Sequence, residues 1–189
     1  MEKLFSEQVF EKTDYKEKFL AKGEYESCVF RQCDFYQSDC SEIIFIDCVF
    51  ETCNLGMIQV HNTVFRDVKF TGCKMLGIHF EQCNKFGLAF RTENCVLDHS
   101  SFYQTSVKKS GFTQTSFTEV DFTDCNLTEC VFDGCDLRDA KFENTILQKA
   151  DLRTSYNYSI DPEQNKIKKA RFSLAGIPGL LDKYDIIVE

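Results

Sequence analysis

The sequence of 189 residues has no tryptophan, only two prolines and only three histidines. No stretch approaches the roughly eighteen consecutive apolar residues that a membrane-spanning helix needs. The opening residues, MEKLFSEQ, lack the basic lead and apolar run of a signal peptide. Lys and Arg number 22 against 30 Asp and Glu, a net charge of −8, whereas phosphate binding needs clustered basic side chains. We therefore expect a cytoplasmic protein that neither spans a membrane nor binds nucleic acid.

The residue patterns of catalysis and metal binding are missing as well. His61, His79 and His99 match no catalytic triad or metal spacing. Residues 176–179 (GIPG) lack the Lys-Ser/Thr pair of a phosphate-binding loop. The acidic residues lie outward on the regular rod predicted below, which offers no water-excluding cleft. We expect no enzyme activity, no metal, no cofactor and no small-molecule substrate.

Phenylalanine is abundant, with nineteen residues, and most of them recur at intervals of five. In "DCNLTECVFDGCDLRDAKFENTILQKADL", residues 124 to 152, a large apolar residue fills every fifth position: Leu127, Phe132, Leu137, Phe142, Leu147 and Leu152. The same interval runs back from Phe90 to Phe10, broken only at Lys85, and forward from Leu97. A helix repeats its apolar face every 3.6 residues or so and a half-buried strand about every two, so neither explains this pattern.

The position two residues before each large one is also selected, and it holds ten of the eleven cysteines: Cys28, Cys33, Cys48, Cys53, Cys73, Cys83, Cys95, Cys125, Cys130 and Cys135. Residues two apart on an extended chain face the same way, so both positions point inward. Because the pattern restarts after five residues, the chain must turn a corner each time. Such a chain closes into coils that stack as a parallel β-helix, and the cysteines become buried, reduced fillers.

Over residues 10–155 the sequence resembles the pentapeptide-repeat family. The resemblance implies an all-β solenoid, a right-handed quadrilateral parallel β-helix with four pentapeptides per coil, and so about seven coils stacked to about 34 Å. Residues 1–9 form a lead-in. One coil is then twenty residues, which predicts a buried core ladder of Phe30, Phe50, Phe70, Phe90, Phe112, Phe122, Phe132 and Phe142.

The register breaks across residues 84–96. Lys85 falls on a core position with Phe86 beside it, which predicts a bulge that lets Phe86 enter the core instead. Seven residues rather than five separate Phe90 from Leu97, so two residues are inserted within "RTENC", residues 91–95. We expect a short loop there.

The repeats end before residues 156–189. Asp161-Pro162-Glu163 is typical of a helix start, Pro178 lies in a second short helix, and residues 186–188 suggest a strand. The segment is either a cap over the last coil or also a dimerisation element, as its resemblance to the tails of microcin-immunity and Qnr-type proteins implies. We expect a helical cap and a homodimer interface together, formed by Leu174, Ile177, Leu180, Leu181, Ile186, Ile187 and Val188.

The exterior remains as the functional surface. Its densest acidic stretch, opposed only by Arg138, is Glu119, Asp121, Asp124, Glu129, Asp133, Asp136 and Asp139. These acids are either a solvated face or a surface offered to a basic groove. The resemblance implies the second: Qnr-type and microcin-immunity proteins mimic DNA, bind DNA gyrase or topoisomerase IV, and protect it from quinolones or a peptide toxin. The alternative is a structural or scaffolding repeat protein with a partner unrelated to topoisomerases.

Overall fold

The computed structural model describes residues 3–16 and 18–187. All strand pairs are parallel and belong to one sheet that winds about a single core. The strands are β1 Leu4–Ser6, β2 Val9–Glu11, β3 Glu24–Glu26, β4 Val29–Arg31, β5 Ile44–Ile46, β6 Val49–Glu51, β7 Val64–Thr71, β8 Leu88–Glu93, β9 Gly111–Thr113 and β10 Val131–Asp133. In the described part of the chain, helical structure is limited to 3-10 turns at Phe80–Gln82, Leu174–Leu180 and Asp182–Tyr184. The predicted quadrilateral parallel β-helix is confirmed.

The corners that the five-residue period requires are residues with positive φ. Ser27, Gln32, Gln37, Glu42 and Asp47 have φ of 53°, 51°, 58°, 62° and 51°, and the series continues at five-residue steps over most of the chain. Left-handed backbone is costly for a residue with a Cβ, so the stacking of coils must offset that cost at every corner. Polar residues at the corners reach solvent, while the centre of each segment points inward.

Ladder partners are twenty residues apart, which gives the coil four flat faces that we number in chain order. Face 1 has its inward residues at Phe5, Tyr25, Phe45, Phe65, Leu88, Val107, Leu127 and Leu147. Face 2 has Phe10, Phe30, Phe50, Phe70, Thr92, Phe112, Phe132 and Leu152. Face 3 has Tyr15, Phe35, Leu55, Met75, Leu97, Phe117 and Leu137. Face 4 has Leu20, Cys40, Val60, Phe80, Phe102, Phe122 and Phe142. Because the chain visits the faces in turn, face 1 lies opposite face 3.

The interior is a set of stacked aromatic columns. On face 2 the ring centroids of Phe30 and Phe50 are 4.6 Å apart, and those of Phe50 and Phe70 are 5.0 Å apart, with nearly parallel planes. On face 4, Phe122 stacks on Phe142 at 5.2 Å. Rings on adjacent faces meet edge to face, the other geometry that aromatic quadrupoles favour. All eight residues of the predicted ladder are buried.

Phe90 is buried but not on the predicted rung of the ladder. Thr92 pairs with both Phe70 and Phe112 and so takes the central position on face 2. Phe90 pairs with Val68, in the slot two residues earlier, and meets Phe70 edge-on at 89° rather than stacking on it. In this coil the small residue, Thr92, therefore takes the position that a large residue holds in other coils, and the large residue, Phe90, takes the position of the small one.

The prediction that Phe86 enters the core is wrong. Phe86 is 98% exposed, and Leu88 fills the inward position opposite Phe65. Gly87 permits this arrangement, because a Cβ there would lie 2.5 Å from Val64 Cγ1. The ladder step is already 23 residues at Phe65–Leu88, which places the extra residues at 84–87 and not within residues 91–95.

The described ladder is longer than residues 10–155. It begins with the pairing of Leu4–Ser6 and ends with the bridges Ile146–Lys166 and Asp151–Arg171. The helix predicted to start at Asp161 does not form: the chain makes one turn over residues 162–164 and rejoins the ladder at Lys166. Residues 186 and 187 form no strand, and Val188 lies outside the described residues.

All eleven cysteines are free and buried. Eight of the thiols donate to carbonyl groups of the preceding coil, as in Cys48 Sγ to Tyr25 O at 3.1 Å and Cys130 Sγ to Val107 O at 3.0 Å. Burial raises the pKa of Cys48 and of Cys130 to about 12. The thiolate form, which is the nucleophile, is therefore scarce.

We expect a corresponding resistance to thiol reagents. Reaction requires the reagent to reach the sulfur atom, and all eleven thiols are buried away from solvent. An aromatic disulfide reagent should label all eleven thiols in denaturant and almost none in the native protein within an hour. Rapid stoichiometric labelling of the native protein would contradict this burial.

Candidate protein-interaction surface

The exterior carries the functional groups, because the interior is filled. Within residues 3–16 and 18–187, no cluster of three or more His, Cys, Asp or Glu side chains is arranged to hold a metal ion. Over the same ranges, no helix combines the length and apolar character of a membrane span. What varies along the outside of the β-helix is charge, so we compared the outward and corner positions of the four faces.

Faces 3 and 4 form one continuous acidic surface. Between residues 34 and 144 their outward positions hold eleven acids and three bases, a net charge of −8 by subtraction. The acids are Asp34, Asp98, Glu119, Asp136 and Asp139 on face 3, and Asp39, Glu42, Glu81, Asp121, Asp124 and Glu143 on face 4; the bases are Lys74, Arg138 and Lys141. Face 2 is balanced over the same coils, with Glu51, Glu93 and Asp133 against Arg31, Lys69 and Arg91.

The seven acids predicted from the sequence do not all meet. Five of them lie on faces 3 and 4: Glu119, Asp121, Asp124, Asp136 and Asp139. Asp133 ends strand β10 on face 2. Glu129 is at the corner between faces 1 and 2, where Lys149 Nζ lies 2.6 Å and Lys109 Nζ 4.0 Å from its carboxylate. Those two lysines, Lys149 first, hold the pKa of Glu129 below its usual value.

Two of the five remaining acids also close their own turns. Asp121 Oδ1 accepts from Thr123 N at 2.8 Å, and Asp136 Oδ1 accepts from Arg138 N at 3.1 Å. This side-chain-to-backbone bond recurs at the same place in other coils, for example at Asp39 and Asn126, and is an Asx turn. Asp121 and Asp136 are therefore partly buried structural residues.

Glu119, Asp124 and Asp139 are the exposed acids of this group. All three occupy corners, with φ of 56°, 55° and 54°. Glu119 and Asp139 follow each other on the corner between faces 3 and 4, and Asp124 lies on the far corner of face 4. His99 Nδ1 lies 3.3 Å from Glu119. These three residues mark the borders of face 4.

The sequence analysis missed the acids that join this surface from distant coils, among them Asp34, Asp39, Glu81 and Asp98. Acids five residues apart in sequence lie on different faces of the coil, whereas acids twenty residues apart lie on the same face. Reading the outward positions in columns of twenty would have found them.

The described residues of the predicted dimer interface are mostly exposed. Leu174 is 92% and Ile187 88% exposed, and Ile177 and Ile186 are also exposed. Leu180 is partly buried against the core, and Leu181 is half-buried. Lys183 holds this segment to the last coil through Asp161, at 2.7 Å, and Glu163, at 2.6 Å.

Comparisons with known proteins agree with this architecture. Residues 24–92 match the family described as pentapeptide repeat region, and residues 115–153 match pentapeptide repeats, eight copies. No curated protein sequence matches the chain. Two trypsin-treated variants of QnrB1, a plasmid-mediated fluoroquinolone resistance protein, are similar in fold, each with a TM-score of 0.64 and 15% identity; the matches cover 99% and 100% of this chain and 100% of each of theirs. The repeats, their four-faced coil and these matches establish that the chain belongs to the pentapeptide-repeat family.

Proposed function

We propose that the protein binds a type II topoisomerase, DNA gyrase foremost, by placing faces 3 and 4 where the enzyme binds DNA. This binding protects the enzyme from quinolones or a peptide toxin. The fold it shares with QnrB1, a fluoroquinolone resistance protein, supports this proposal. The observation that carries it is the excess of acids over bases on two adjacent faces of a filled rod, eleven against three between residues 34 and 144.

The charge density supports mimicry of one side of a duplex. The six coils between residues 34 and 144 stack to about 29 Å at roughly 4.8 Å each. B-form DNA of that length carries about 17 phosphates, of which half, about eight or nine, face one side. Faces 3 and 4 are half of the circumference and carry a net −8, from eleven acids and three bases.

A homodimer would double this surface. The exposed Leu174 and Ile187 give the C-terminal segment apolar area for an isologous contact, and the segment is fixed to the rod by Lys183. Each rod has eight coil steps of about 4.8 Å, so two rods joined end to end span about 77 Å, which is about 23 base pairs of duplex at roughly 3.4 Å each.

The test is gyrase supercoiling with a quinolone, in the presence of the wild type or of the triple variant Glu119→Gln, Asp124→Asn, Asp139→Asn. Removing three of the exposed border charges should raise the concentration needed for protection about tenfold, because charges at an interface rim govern encounter. The matched control is Glu11→Gln, Glu51→Gln, Asp133→Asn on face 2, which changes the net charge equally and should protect as the wild type does.

Two results would contradict the proposal. One is wild-type protein that neither protects nor inhibits gyrase at any concentration, and the other is equal protection by both triple variants. Protection should also weaken between 0.15 M and 0.5 M salt, because screening shortens the range of surface charges. If the affinity for the partner does not depend on salt concentration, the scaffolding role is favoured instead.

A further inference from the structure

Face 1, which lies opposite face 3 and adjoins face 4, is divided into an acidic half and a basic half. In its first four coils the outward and corner positions carry five acids and one base: Glu7, Glu24, Glu26, Asp47, Asp67 and Arg66. In its last four coils they carry six lysines and one acid: Lys108, Lys109, Lys149, Lys166, Lys168, Lys169 and Glu129. By subtraction, the acidic half has net charge −4 and the basic half +5. The protein's overall negative charge conceals this polarity.

Phe86 lies at the boundary between the two halves. It projects from the irregular coil at residues 84–87, with four regular coils on either side, and is 98% exposed. A cleft of about 160 Å³ opens beside it, lined in part by Leu88, Lys85, Thr105 and Ser106. A fully exposed aromatic ring next to a small cleft is typical of an interface anchor and its pocket.

We propose that face 1 is an interface between two copies of this chain, packed side by side and antiparallel about a two-fold axis through residues 84–87. That axis places the acidic half of each copy on the basic half of the other. It also brings the two Phe86 rings to the centre, each beside the other copy's cleft. A two-fold contact of this kind is self-complementary and closes as a dimer.

Individual coils oppose one another in a definite order under this axis. The coil of Glu24 and Glu26 faces the coil of Lys149, and the coil of Glu7 faces that of Lys168. Half-buried Ile44 and the buried Val64 border a recess of about 720 Å³ on the acidic half, which the other copy would cover. Asp47 opposes Glu129, but Lys149 and Lys109 already pair with that glutamate.

The size of the face sets the affinity to expect. Eight coil steps of about 4.8 Å and a width of five residues at about 3.3 Å give roughly 600 Å² per copy. Such an interface is at the small end of specific contacts, so the association is tested at tens of micromolar protein. Face 3 then points away from the partner, and the pairing leaves it free.

The experiment is a charge exchange, followed by analytical ultracentrifugation at tens of micromolar protein. Lys149→Glu with Lys168→Glu should lower the average mass relative to the wild type, and Glu24→Lys with Glu26→Lys should do the same. All four substitutions in one chain restore complementarity and should restore the mass. Circular dichroism checks that these surface variants remain folded. Unchanged mass in either double variant, or no restoration in the quadruple variant, would overturn the proposal.

A crosslink tests the antiparallel arrangement independently. Glu26 and Lys149 are six coils apart in one chain, about 29 Å, so a short bismaleimide cannot join them within a copy. Glu26→Cys combined with Lys149→Cys should give a covalent dimer, whereas Lys149→Cys alone should not. A tail variant, Leu174→Asp with Ile187→Asp, separates this contact from the end-to-end one: if it alone abolishes assembly and the crosslink, face 1 is not an interface.

Discussion

Replacing Phe50 with alanine should lower the free energy of unfolding by about 4 kcal/mol. Phe50 is 1% exposed and lies between Phe30 and Phe70 in the face 2 column, at 4.6 and 5.0 Å. Its ring also meets Phe45 edge-on at 5.4 Å. The neighbouring backbone cannot collapse into the vacated space, because each coil is held by ladder hydrogen bonds to the coils on both sides. The cost therefore includes both lost transfer energy and a retained cavity.

Chemical denaturation followed by circular dichroism measures this loss, and thermal unfolding should show a midpoint lower by about 10 °C. Phe19→Ala is the matched control, since Phe19 is 76% exposed and its truncation should change stability by less than about 0.5 kcal/mol. Equal losses in the two variants would mean that the interior of the column does not carry the stability of the coil.

The period of five predicted a parallel β-helix of stacked coils, and the resemblance to the pentapeptide-repeat family supplied its four faces. That period ties each inward side chain to a corner, and the corners appear as positive-φ residues such as Ser27, Gln32 and Gln37. The large and small inward positions were likewise predictable, because their spacing of two follows from an extended chain. From Tyr15 onward the large residues that keep the period are buried as predicted, whereas Phe10 in the first coil is half-buried.

The coil at residues 84–92 could not be predicted by counting in fives. Phe86 and Leu88 are both apolar, and hydrophobicity alone does not choose between them. The close approach of Gly87 to Val64 decides in favour of Leu88, and that is a contact between residues 23 positions apart. The displacement of Phe90 from its rung by Thr92 follows from the same local shift of register.

The acidic surface was only partly predictable for a related reason. Acids close in sequence, such as Glu129 and Asp133, were grouped with Glu119 although they lie on other faces. In this solenoid, residues that are twenty positions apart are neighbours on one face, and residues that are five positions apart lie on different faces. The division of face 1 into an acidic and a basic half was not predicted, because a net charge taken over sequence segments combines residues of all four faces.

The C-terminal end of the core depends on one buried amide. Asn165 is 6% exposed and occupies the inward slot that holds thiols and hydroxyls in earlier coils. Its Nδ2 donates to Phe142 O at 3.0 Å and to Asp161 O at 2.9 Å, and its Oδ1 accepts from Thr145 N at 2.8 Å. Thr145 makes the equivalent bond one coil earlier, from Oγ1 to Phe122 O at 2.7 Å. The amide thus continues the ladder and also fixes the turn at Asp161. Lys183 forms a salt bridge with Asp161 and so holds the C-terminal segment to this turn.

Asn165→Leu should therefore destabilise the protein by about 3 kcal/mol, because it leaves two buried backbone groups, Phe142 O and Thr145 N, without partners. Asn165→Thr is the matched control: a hydroxyl can donate to Phe142 O as Thr145 does to Phe122 O, so it should recover about half of the loss. Limited proteolysis should release the segment after Asp161 sooner in the leucine variant than in the threonine variant. If the leucine variant is at least as stable as the wild type, hydrophobic packing and not the hydrogen bonds of the amide stabilises this end of the core.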